Sequence, residues 1–110
     1  MNKQLPFISP AHASKHLRLS EKYPSGLEWS CDRGQRKAGD MAGKWNDQKK
    51  FYLVRVLGEQ LCAHRIVYYL RNHEDPSDHD VIHALDNIER DNRKELYLVK
   101  RSKRKTYRKN

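Results

Sequence analysis

The hydrophobic period changes once along this chain, and that change sets the fold class. Between Leu61 and about Asn72 the apolar residues Leu61, Ile66, Val67, Tyr68 and Leu70, with His64 and Arg71 among them, suit one amphipathic helix. Upstream the period is shorter. Leu27-Glu28-Trp29-Ser30-Cys31 alternates apolar and polar, Phe51 to Val56 is β-rich, and Leu57-Gly58-Glu59 is a hairpin turn into Gln60-Leu61-Cys62. These segments predict a three-stranded antiparallel sheet covered by the helix. Downstream, Asp80 to Leu85 and Leu96 to Val99 read as two further short strands, with a turn at Asp91-Asn92-Arg93. The fold class is therefore α+β.

Punctuation between these segments is consistent with that order. Pro24-Ser25-Gly26 is a turn signal, Asp32 to Lys37 a basic loop, and Asn46 to Lys50 a polar turn. Lys37 to Gly43 places two glycines four apart, which predicts a tight bend. Pro76 ends the helical segment. Residues 1–16 carry Pro6 and Pro10 without sustained periodicity and are expected to form a flexible arm before a single domain spanning 17–110.

At 110 residues, with 36% hydrophobic and 34% charged residues, the chain has room for one thin core. No apolar run approaches the ~18 residues of a membrane span, and the first 16 residues lack a continuous apolar stretch of the kind that directs secretion. Cys31 and Cys62 make no metal-ligand spacing and are expected to be reduced thiols of a cytoplasmic protein.

Charge is the first functional clue. The net charge is +9, and residues 100–110 hold seven Lys or Arg and no acid, leaving +2 for the first 99. Such a tail is an electrostatic handle for a polyanion, with nucleic acid favoured over an acidic lipid surface. Arg33, Arg36, Lys37, Lys44, Lys49 and Lys50 flank the early strands. With Lys100, Arg101, Lys103, Arg104, Lys105 and Arg108 they would form two basic clamps on duplex DNA, positioning without reading sequence. Trp29, Trp45, Phe51 and Tyr52 could stack on bases, but aromatic side chains on a small sheet are expected in its core.

Four blocks occur in one order: PSGLEW (24–29), KAGDMAG (37–43), FYLVRVLGEQLCAHRIVYYL (51–70) and DVIHALDNIERDNRKELYLVKRS (80–102). Over about residues 19–105 the chain resembles the small HNH endonucleases of phages and bacteria, many of them homing endonucleases. The resemblance implies a sheet-and-helix part (17–75) followed by a ββα-metal finger (76–110) ending in a basic helix. In that family a strand ends in Asp-His or His-His. The second residue is the general base, the first a metal ligand, a loop Asn orients the base, and a His or Asn of the following helix completes the metal site.

On that pattern His83 takes the general-base position. Ile82 stands where the first ligand belongs and has no lone pair. Asn92 matches an earlier loop Asn, while Glu95 stands at the orienting position. Arg104 occupies the last ligand position, where a guanidinium would repel a cation. The resemblance thus implies a DNA-binding protein with a degenerate metal site and no cofactor. The alternative is an active endonuclease using magnesium or manganese, with His83 as base and a slipped ligand set drawn from Asp78-His79, Asp80, Asp86, Asp91 or Glu95. A host or phage protein is the other candidate partner. The resemblance includes the pair His64-Arg65, which is expected to serve the fold, with His64 tied to the sheet and Arg65 paired with a carboxylate or a phosphate.

Overall fold

The computed structural model describes residues 10–32, 34–76 and 79–100. Among these described residues, seven short strands and two helices follow one another as α1 (Pro10–Ala13), β1 (Leu17–Leu19), β2 (Leu27–Trp29), β3 (Lys44–Asn46), β4 (Phe51–Val56), β5 (Glu59–Cys62), α2 (Ala63–Asn72), β6 (His79–His83) and β7 (Leu96–Lys100), with a 3₁₀ turn at Ser14–His16. The strands pair as three separate antiparallel sheets, β1-β2, β3-β4-β5 and β6-β7. The expected α+β class holds at this level.

Two details differ from the sequence expectation. The three-stranded sheet exists, but its first member is Lys44–Asn46 rather than Leu27–Cys31. Leu27–Trp29 pairs instead with Leu17–Leu19, placing Arg18 opposite Glu28, where the two side chains form an ion pair. That pair holds the Glu28 carboxyl below its usual range, chiefly through the hydrogen bond from Arg18. Residues 1–9 of the expected arm lie outside the described residues, but part of it has regular structure. Residues 10–16 form the two short helical turns, and Ala13 is fully buried.

Helix α2 organises the interior. Ala63, Ile66 and Val67 lie one turn apart on one face and are each 0% exposed. They join Leu17, Leu27, Trp29, Val54, Val56, Val81 and Leu96 in a single cluster that touches all three sheets. Burying Ile66 or Val67 is worth about 2 kcal/mol each, so this one face supplies much of what holds the small sheets together. The β6-β7 hairpin is fastened to the same helix by two arginines. Arg65 donates to the carbonyls of His79 (2.7 Å) and Pro76 (2.8 Å), and Arg71 to those of Lys94 (2.8 Å) and Asn92 (2.6 Å).

The β4-β5 hairpin contains a local conflict. Val56 pairs with Glu59, so Leu57 and Gly58 form a two-residue turn, with φ of 52° and 83°. Both values are left-handed, as the favoured hairpin turn demands, yet leucine's Cβ disfavours that region. Leu57 is 43% exposed, so little burial is at stake. Leu57→Asn is expected to raise stability by about 1 kcal/mol, read as a higher urea midpoint at unchanged slope.

Candidate functional site

His83 is the last residue of β6. Strand alternation puts it on the face of Val81, which is buried, and turns Ile82 to the opposite face. Ile82 is 40% exposed there, paired across the hairpin with Tyr97. The inward-facing imidazole is half-buried and meets the ring of His64, the second residue of α2, at 5.1 Å between centroids. His64 in turn packs edge-on against Phe51 of β4.

The side chain that orients His83 is Asn92. Its Oδ1 lies 2.6 Å from His83 Nε2. An amide oxygen only accepts, so Nε2 carries the proton and Nδ1 keeps the lone pair. The assignment is fixed from the other side, because Asn92 Nδ2 donates to the Ser25 carbonyl at 2.9 Å. Asn92 is 0% exposed, and its main chain is held as well. Its N–H donates to the Pro24 carbonyl (2.8 Å), and its C=O accepts from Arg71. The turn at 24–26 is shaped for this contact. Gly26 has φ of 78°, and a Cβ there would sit 3.0 Å from both Asn92 Cβ and Val67 Cγ2. Three separate stretches, 24–26, 64–71 and 83–92, thus converge on one buried amide.

Glu95, where the family resemblance would put the orienting group, is exposed, just before β7. The loop geometry instead brings in the Asn three residues earlier. The candidate oxygen donors of the slipped register are likewise spread out. Both oxygens of Asp91 accept from Arg93, at 2.9 Å from Nε and 2.7 Å from Nη2. That bidentate pair holds the Asp91 carboxyl below its usual range. Asn87 closes the loop by exchanging two 2.9 Å hydrogen bonds with the main chain of Asp91. Asp86 is exposed, Asp80 half-buried, and His79 opens β6 at the far end from His83. Among the described residues, no three His, Cys, Asp or Glu side chains form a group able to hold a metal ion. Ile82, the residue before His83, offers no lone pair to a metal ion.

Burial disfavours the charged form of both imidazoles. Burial pushes the His83 pKa down, partly opposed by the Asn92 hydrogen bond, and the Arg90 guanidinium lowers it further. His64 is only 8% exposed, and burial, then the neighbouring His83, Arg65 and Arg90, bring its pKa down to about 3. Its Nδ1 is the buried side-chain nitrogen or oxygen atom among the described residues that has no hydrogen-bond partner. Arg65 binds main-chain carbonyls, as described above.

The expected DNA contacts divide in two. Arg33, Arg101, Lys103, Arg104, Lys105 and Arg108, and also Asp78, lie outside the described residues. Of the others, Lys37 and Lys100 are exposed, whereas Arg36 lies over the Trp29 ring at 4.3 Å. Trp29 is core, as expected for a sheet aromatic, but Trp45 is 38% exposed. Cys31 and Cys62 are free thiols, and burial raises the pKa of Cys62. Among the described residues no helix is long and apolar enough to cross a membrane. Comparison with protein-family models, curated proteins and solved structures finds no match.

Proposed function

We propose that this chain is a DNA-binding protein of HNH-endonuclease type in which the metal side of the catalytic site has been lost. One observation carries the reading. An imidazole ends β6 and is oriented by a buried loop Asn, yet the residue before it is an aliphatic side chain facing away. The hairpin, the strand-end His and the locked Asn support the resemblance of the four sequence blocks. Ile82 supports the loss of metal chemistry, because no side-chain lone pair exists at that position.

In this reading the basic tail and the exposed lysines grip phosphates. Each neutralised phosphate releases counterions, so affinity falls with salt along a log–log slope near −0.9 per contact. With about six contacts, binding to duplex DNA should weaken by roughly three decades between about 50 and 200 mM salt. Fluorescence anisotropy with a short labelled duplex measures this. A flat salt response would instead favour a protein partner. Plasmid incubated with the protein and magnesium or manganese should remain uncut. Nicking that disappears in His83→Ala would replace this reading with an active endonuclease, for which the neutral, oriented His83 would already supply the base.

A further inference from the structure

The three-stranded sheet has two unlike faces. Val54 and Val56 enter the core from one of them, with Tyr52 packed against it. Alternation turns Leu53 and Arg55 of β4 to the other. Strand pairing brings neighbours to that outer face. Lys44 lies opposite Leu53, Asn46 opposite Phe51 and Gln60 opposite Arg55. Lys44, Arg55 and Gln60 are exposed. An open groove of about 490 Å³ runs over these residues, and Arg36, stacked on the Trp29 ring at 4.3 Å, lines it too.

The chemistry of this face is one-sided. The described residues that line the groove include three cations and two side-chain amides but no carboxylate. Lys44 and Arg55 are diagonal neighbours across β3 and β4, about 7–8 Å apart at the backbone, so two long side chains there can reach one common group. Arg55 gives one N–H to the Gly58 carbonyl at 3.2 Å, which steadies it and leaves the rest of its fork to donate. Asn46 Oδ1 accepts from the Lys49 N–H at 2.8 Å, so Nδ2 is the group that Asn46 has to offer. Leu53, at 8% exposed, presents little apolar surface to a guest. Such a set repels a cation and suits an anion with several acceptor oxygens. A groove open to solvent suits an extended polyanion better than a small enclosed one.

We propose that this sheet face is a second phosphate-binding surface, on which Lys44 and Arg55 together hold the sugar-phosphate backbone of DNA, with Asn46 and Gln60 donating beside them. The inference rests on the DNA-binding reading above and deepens it. It adds Arg55, which the charge pattern of the sequence does not single out, and it places a backbone contact on the sheet, separate from the basic tail.

Salt-dependent anisotropy of the full chain with a short labelled duplex tests the idea. The pair Lys44→Gln/Arg55→Gln should make the log–log salt slope shallower by about 1.8 and weaken binding at least about tenfold near 100 mM salt. The control pair Lys15→Gln/Lys22→Gln removes the same charge from exposed positions outside the groove and should move both far less. Urea midpoints of the two pairs should stay near that of the parent, since all four side chains are exposed. Should the groove pair fold poorly, Lys44→Gln alone should still lower the slope by about 0.9, and Lys44→Arg should restore it. Groove variants that bind no worse than the control pair overturn this surface while leaving duplex binding, and the reading beneath it, intact. If the parent protein binds no duplex, that reading falls and this inference with it.

Discussion

Asn92→Ala is expected to lower the melting temperature by roughly 15 °C, about 3 kcal/mol for a domain of this size. The substitution deletes two side-chain hydrogen bonds at once, to His83 Nε2 and from Nδ2 to the Ser25 carbonyl. The site is 0% exposed, so water cannot replace them without opening the structure. The stranded Ser25 carbonyl alone costs about 1–3 kcal/mol, and the small cavity adds to it. Gly26 and Val67 press on the same side chain, so collapse around the cavity is limited. Calorimetry or thermal circular dichroism measures the shift. A loss under about 4 °C would mean that the hairpin is held by the arginine clamps of α2 alone.

The conservative change separates orientation from packing. Asn92→Asp retains an oxygen for His83 but replaces the donor to Ser25 with a second acceptor. It also places a carboxylate beside the ring, which favours imidazolium. The His83 titration, followed by NMR, should therefore move up from its depressed position, even as stability falls. A purely space-filling role for Asn92 would leave that titration where it was.

The reach of sequence reasoning follows from how local each signal is. Helix α2 was legible because ten residues carry one period, and β4 and β5 because a Leu-Gly turn joins two β-rich runs. The strands β6 and β7 emerged for the same reason. Strand β1 was not legible, since Leu17-Arg18-Leu19 is too short to show alternation, and its pairing rests on Arg18 finding Glu28. Lys44-Trp45-Asn46 has little apolar character, and it is a strand because β4 offers it an edge. That edge position also explains why Trp45 escaped the core expected for it. At the site, His83 was found through the family resemblance, whereas the role of Asn92 was not. Its partner Ser25 lies 67 residues away, and no spacing within the loop encodes that contact.

Acid should destabilise this protein sooner than its carboxylates require, and His64 is the reason. In the unfolded chain its imidazole takes a proton near pH 6.5, while in the folded protein the pKa is about 3. Above 6.5 the ring is neutral in both states and contributes nothing to the pH dependence. Between 6.5 and about 3 the unfolded state binds a proton that the folded state refuses, so stability falls with pH. Each unit of pH in that window removes about 1.4 kcal/mol, hence about 2 kcal/mol by pH 5. The pKa of His83 is displaced in the same direction and adds to the loss. Asp91, held low by Arg93, begins to contribute only when the pH approaches the carboxylate range. His64→Leu should flatten the limb between pH 6.5 and 5. At pH 7 it should cost little, because it removes a buried Nδ1 that has no partner. Urea midpoints for both proteins at pH 7 and pH 5 provide the comparison. Equal losses in the two would mean that another group drives the acid response.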